Sequence, residues 1–207
     1  MVSVFSKAEH AAIEAAIAEA EQLTGADIVL AVTRASDAYS SFVLLYGLAL
    51  GSLIAMGIWL DGAITGFPWL LTLQLAVVAL FSILPFLRLP CLWLVPRHIR
   101  RHRAARRAFE EYLIVSRHSV AATPMILFYI SQAERYAHII PSRSVRVRIR
   151  DAQWQEVIAA FTASVKRDGL QKACGQTIAQ IAALLAVHFP ATGDAHAQRA
   201  HVIDGRD

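Results

Sequence analysis

Hydrophobic and polar positions follow three different rhythms along this chain. The first is helical. Ser6-x-x-Glu9 is a capping-box pattern, Ile13, Ala16, Ile17, Ala20 and Leu23 follow at helical spacing, and Gly25 supplies a stop. Asp27 to Thr33, DIVLAVT, is a short apolar run of strand type. Then the alternation disappears. Phe42 to Leu60 is nineteen residues without a charge, and Ala63 to Leu87 is another twenty-five.

Beyond this block the helical spacing returns with Phe109, Tyr112 and Leu113 and predicts a helix to about His118. Pro124 to Ser131 is a second apolar strand, Gln132 to Arg135 a turn, and Tyr136 to Ile140 a third strand paired with the second. Arg146, Arg148 and Arg150 alternate with Val145, Val147 and Ile149, which predicts a half-buried strand with a basic outer face. Asp151 can cap a helix carrying Trp154, Val157, Ile158, Phe161 and Val165, and Gly169 breaks it. A last helix runs from Leu170 through Ile178, Ile181 and Leu185 to Phe189, ended by Pro190. Residues 191–207 lack apolar periodicity and read as a flexible tail.

Near-continuous apolar strands separated by helices imply an α/β fold, a small mixed sheet covered by helices. The uncharged block is too long for strands. Nineteen residues at about 1.5 Å each match the roughly 30 Å hydrocarbon core of a bilayer. Only Asp61 and Gly62 separate the two segments, so they predict a transmembrane helical hairpin over 42–87, with spans at 42–60 and about 67–87. Gly47, Gly51 and Gly57 would allow close helix approach. Strands on both sides of the hairpin can share one sheet only if the chain leaves and re-enters on one side. The domain therefore reads as two parts, 1–37 and 97–190, with the hairpin as an insertion.

Charge orients the hairpin. Residues 1–41 carry net −4, residues 42–87 only Asp61, and residues 88–207 net +9. Arg97, Arg100, Arg101, Arg103, Arg106 and Arg107 follow the second apolar segment closely enough to act as a topogenic cluster, which puts the Asp61 loop outside and both termini in the cytoplasm. Trp59, Trp69 and Trp93 would occupy the interfacial belts. The arginine run lacks the reading element and interleaved aromatics of a nucleic-acid site, so no nucleic-acid partner is expected. His98 and His102 stand at i, i+4, but flanking arginines repel a divalent cation and no further ligand lies in the same turns, so no metal or cofactor is expected. Cys91 and Cys174 are too few for a disulfide framework.

The stretches SKAEHAAIEAAIAEAEQLTGADIVLAV, ILFYISQAERYAHII, DAQWQEVIAAF and ACGQTIAQIAALLAVHFP, in this order, resemble the TPM-domain family. More narrowly, with SDAY at Ser36 to Tyr39 and the exit LVPRHIRRHRAARRAF, they resemble its bacterial membrane-protein branch, in which an apolar pair interrupts the domain after the first strand. The resemblance covers about residues 5–190. It implies an α/β domain anchored in the inner membrane, a link to membrane-protein maintenance and receptor association, and an acid phosphatase activity with divalent metal. One departure bears on the last point. Where relatives carry an acidic, glycine-containing stretch, this chain reads Pro141-Ser142-Arg143-Ser144-Val145, with serines at the positions of the acid and the glycine.

Two functions follow as expectations. The first is a non-catalytic interaction or scaffolding module that presents Arg146, Arg148 and Arg150 to anionic lipid or a membrane-protein partner. The alternative is a metal-dependent phosphatase near the membrane, for which Asp27, Glu134 and Asp151 are the remaining carboxylates. Cys174 reads as core and His188 as a helix-end contact.

Overall fold

The computed structural model describes residues 5–37, 39–62, 67–83, 95–118, 123–191 and 201–204. Helix α1 (Lys7–Leu23) opens on the predicted capping box: Glu9 N–H donates to Ser6 Oγ at 3.3 Å, and Ser6 N–H donates to Glu9 Oε2 at 2.8 Å. Strand β1 (Asp27–Thr33) follows. Helices α2 (Ser40–Leu60) and α3 (Phe67–Ile83) come next, then α4 (Arg97–His118), β2 (Met125–Ser131) and β3 (Tyr136–Pro141). The chain closes with α5 (Arg143–Arg148), α6 (Asp151–Asp168), α7 (Leu170–His188) and β4 (His201–Asp204).

The protein is mixed α/β, with a four-stranded sheet in the order β3-β2-β1-β4. β1 lies parallel to β2 and to β4, while β2 and β3 form an antiparallel hairpin. Because β1 and β2 are parallel neighbours, the chain must cross back over the sheet between them, and α4 is the helix of that crossover. Alternation along the strands divides the core by face. Ile28, Leu30, Val32, Ile126, Phe128, Ile130 and Ile139 point to one side and meet α1, α6 and α7, with Phe161 edge-on to Phe128 at 5.1 Å. Val29, Ala31, Leu127, Tyr129 and Ile140 point to the other, where Ala108, Tyr112 and Val115 of α4 cover them.

Residues 1–36 and 103–207 form one compact unit and residues 37–102 another. In the second unit α2 and α3 pack together. A Cβ on Gly51 would stand 3.4 Å from Gln74, and Gln74 Nε2 donates to Ser52 Oγ at 2.9 Å. Gly57, expected to share in this approach, has nothing within 4 Å of its Cβ position.

Three further expectations are corrected. Residues 145–150 are not a strand: Arg143–Arg148 is a helical turn, in which Val145 is buried and Val147 is 82% exposed. Period-two spacing over so few residues also fits a helix, whose i, i+4 pair here is Val145 and Ile149, both fully buried. Residues 201–204, expected in a flexible tail, pair with Val29–Val32 as β4. Finally, the residue flanking α6 is Arg150, whose N–H donates to Gln153 Oε1 at 3.2 Å, and Asp151 is the first-turn acid. Among the described residues, Ser41–Leu60 is the one helix long and apolar enough to cross a bilayer; the second expected span, about 67–87, is described as helix over Phe67–Ile83, and residues 84–94 lie outside the described residues.

Candidate functional site

In open α/β sheets the carboxyl ends of parallel strands are where ligands bind and loops diversify. Here β1 and β2 end together, since Thr33 pairs with Ser131, and the residues just beyond them form a polar network. Tyr129 OH lies 3.1 Å from Thr33 Oγ1 and 3.0 Å from Ser36 Oγ. Glu134, in the β2–β3 turn, accepts from Ser36 N–H at 3.0 Å, from Ser36 Oγ at 3.4 Å and from Ser131 Oγ. Two backbone bonds carry the ladder past the strands, from Gln132 N–H to Thr33 O and from Ala133 N–H to Arg34 O. Thr33, Tyr129, Ser131 and Glu134 are all buried.

Helix α4 adds charge above this network. Glu111 is buried and pairs through Oε1 with Arg107 Nη2 at 3.1 Å, while its Oε2 is buried without a hydrogen-bond partner. Burial raises the Tyr129 phenol above its ordinary value; the hydroxyls of Ser36 and Thr33 pull it down, Glu134 pushes it up, and Arg107 pulls it down weakly. Tyr129 is therefore a neutral hydrogen-bonding hub at physiological pH. Glu134 accepts three hydrogen bonds and so joins the exit of β1 to the β2–β3 turn. This is chemistry of positioning, which fixes the point at which the chain leaves the sheet.

The carboxylates considered for a phosphatase do not converge. Asp27 begins β1, and Glu134 lies past its opposite end, seven strand residues or about 23 Å along. Asp151 lies in the first turn of α6, and its field reaches His138 on β3. Among the described residues, no three His, Cys, Asp or Glu side chains stand close enough to hold a metal ion together.

Arg146, Arg148 and Arg150 do not share a face. Arg148 Nη1 donates to His188 O at 2.8 Å, and its guanidinium stacks 4.7 Å over Phe189, which pins α5 to the end of α7. Arg143, Arg146 and Val147 share the side of the helical turn opposite buried Val145, as i, i+3, i+4 spacing requires. The arginines expected to orient the hairpin all lie on α4: Arg97, Arg101 and Arg106 are exposed, Arg100, Arg103 and Arg107 half-buried, and Arg106 Nε pairs with Glu110 Oε1 at 3.0 Å. Cys174 is fully buried, and burial pushes its thiol up to about 12.

Sequence reasoning missed Thr33, Ser36, Tyr129 and Ser131 as a set, and the buried Glu111 of α4. One signal was present: hydroxyl residues close both apolar runs, at Thr33 and Ser131. Glu21 was missed as well. It stands four residues after Ile17, on the core-facing side of α1, and is buried.

No family model and no curated protein matches this chain. Among solved structures it is similar to the NMR structure of BA42 protein from the psychrophilic bacterium Bizionia argentinensis, with a TM-score of 0.60, 13% identity, and coverage of 98% of this chain and 96% of that one. At that identity the likeness concerns the fold.

Proposed function

We propose that this chain is a membrane-anchored α/β protein of TPM type. Helices α2 and α3 act as a transmembrane hairpin inserted between β1 and α4, and the sheet-bearing unit is a non-catalytic interaction module for membrane-protein maintenance. One observation carries the anchor. In α2 the apolar side chains face outward: Leu48 is 49% exposed, Leu53 61%, Met56 55% and Leu60 72%, whereas a core helix of a soluble domain would bury them. On α3, Trp69, Leu75 and Leu80 are exposed in the same way. Each exposed leucine in water costs about 1.5–3 kcal/mol relative to burial, a cost that lipid tails remove.

The Gln74–Ser52 hydrogen bond and the close approach at Gly51 suit helix pairing in lipid, where polar and small side chains join helices. The saturated Glu134 and the neutral Tyr129 support a binding role over turnover. The arginines of α4 favour an inner-membrane orientation with both termini in the cytoplasm.

Alkaline carbonate extraction of bacterial membranes, combined with cysteine labelling in a Cys91→Ser background, tests this reading. The chain is expected to stay with the membrane, Asp61→Cys to react with an impermeant maleimide from outside, and Gln22→Cys to react only after lysis. Release by carbonate refutes the anchor, and the reverse labelling refutes the orientation.

A further inference from the structure

We propose that the sheet-bearing unit rests on the anionic leaflet of a lipid bilayer through the outer side of α4. This helix is the wrong way round for a surface helix of a soluble domain. Toward the interior it buries two alanines and a carboxylate, Ala104, Ala108 and Glu111, while two of its large apolar residues face outward, Phe109 at 55% exposure and Leu113 at 42%. These two stand at i, i+4 on one helix and so adjoin, about 5–6 Å apart at Cβ. Half-buried Tyr112 widens the strip, its ring stacked on that of Phe109 at 6.3 Å.

Charge frames the strip. Arg106 lies three residues before Phe109 and Arg117 four after Leu113, so an exposed arginine closes each end on the same side of the helix. From Arg97 to Arg117 the helix carries seven arginines against two glutamates. Both acids are held by arginines of the helix itself, Glu110 by Arg106 at 3.0 Å and Glu111 by Arg107 at 3.1 Å. The complement of such a face is negative at its surface and apolar beneath.

Two features select lipid as that complement. The strip is a convex ridge one helix wide, which fits the plane of a leaflet, with Phe109 and Leu113 at the acyl boundary and the guanidinium groups among the phosphates. The second feature is reach, and it rests on the membrane-anchored reading. Ten residues separate Leu87, where the second uncharged segment ends, from Arg97, at most about 35 Å of chain. The start of α4 is held within that distance of the bilayer whatever the orientation of the sheet-bearing unit, which gives the leaflet a high effective concentration.

The test is electron paramagnetic resonance on the full chain reconstituted in vesicles, in a Cys91→Ser background, with a nitroxide on Phe109→Cys, on Leu113→Cys or, as control, on exposed Gln155→Cys. In vesicles rich in phosphatidylglycerol the labels at 109 and 113 should collide more with oxygen than with a water-soluble nickel complex. In phosphatidylcholine alone this preference should be lost, and the label at 155 should meet nickel freely in both. Arg106→Ala with Arg117→Ala should lower the ratio of inserted to aqueous label at 113 about thirtyfold, the effect of removing two arginines from an anionic leaflet, while the Lys versions retain it. Labels at 109 and 113 as open to nickel as that at 155 overturn the proposal and leave an acidic protein as the occupant. Equal insertion into neutral lipid overturns it too, as does spin–spin broadening that vanishes on dilution with unlabelled chain, the mark of a second copy on the strip. Carbonate extraction of the same vesicles separates the two readings: a chain released although both labels were inserted has the contact without the anchor, and a chain retained while both labels face water has the anchor without the contact.

Discussion

Replacing Glu21 with Gln should stabilise the protein at alkaline pH and leave it nearly unchanged at acid pH. Glu21 sits in the last turn of α1, 6% exposed, with Oε1 accepting from Ile28 N–H at 3.1 Å and Oε2 buried without a partner. Burial pushes its carboxyl from the ordinary 4.5 up to about 7; the Ile28 hydrogen bond opposes this, and the charge of Asp27 adds to it. The folded protein thus holds a proton on Glu21 between about 4.5 and 7 that the unfolded chain releases. The stability linked to Glu21 is fully present below 4.5 and is lost as the pH rises to about 7.

Taken at full value, that interval corresponds to about 3 kcal/mol, and solvent near the helix end reduces it to about 1–2 kcal/mol. Gln keeps an acceptor for Ile28 N–H and carries no charge at any pH. At pH 8 Glu21→Gln should be more stable by about 1–2 kcal/mol, or several degrees in Tm, and at pH 5 the two proteins should agree within about 1 kcal/mol. His138 titrates with the opposite sign. Burial and, more weakly, Arg146 depress it, so its contribution is present above 6.5 and lost on acidification, equally in both proteins. The assay is thermal unfolding of the detergent-solubilised full chain from pH 5 to pH 8, followed by far-ultraviolet circular dichroism. A difference between the two proteins that does not grow with pH refutes the reasoning.

Gly169 joins α6 to α7 at φ 85°, ψ 169°, a region that side chains avoid, so Gly169→Ala should cost about 1–3 kcal/mol in chemical denaturation although open space surrounds the Cβ position; no loss would mean that the junction relaxes freely. Tyr129→Phe removes the hub between Thr33 Oγ1 and Ser36 Oγ and should lower stability by about 1–2 kcal/mol, with faster amide exchange around Ser36; unchanged exchange there would show that Glu134 alone holds the β1 exit.

The sequence by itself determined what short-range physics controls. The capping box at Ser6, the helix break at Gly169 and the apolar runs of β1 and β2 depend on neighbours within a few residues, and they were legible at nearly the observed boundaries. The remainder depended on partners far away in the chain. Val145, Val147 and Ile149 satisfy a strand rhythm and a helical one equally. What decided for the helical turn is that Val145 and Ile149 are taken into the core while Val147 is left outside. Residues 201–204 hold too few apolar positions to announce a strand, and they become one because β1 offers an unfilled edge. Glu134 gained its role only when folding set it beside Ser36, 98 residues earlier, and Arg146, Arg148 and Arg150 lost their common face for the same reason: a side chain's neighbours across the fold are chosen by topology, which no local pattern encodes.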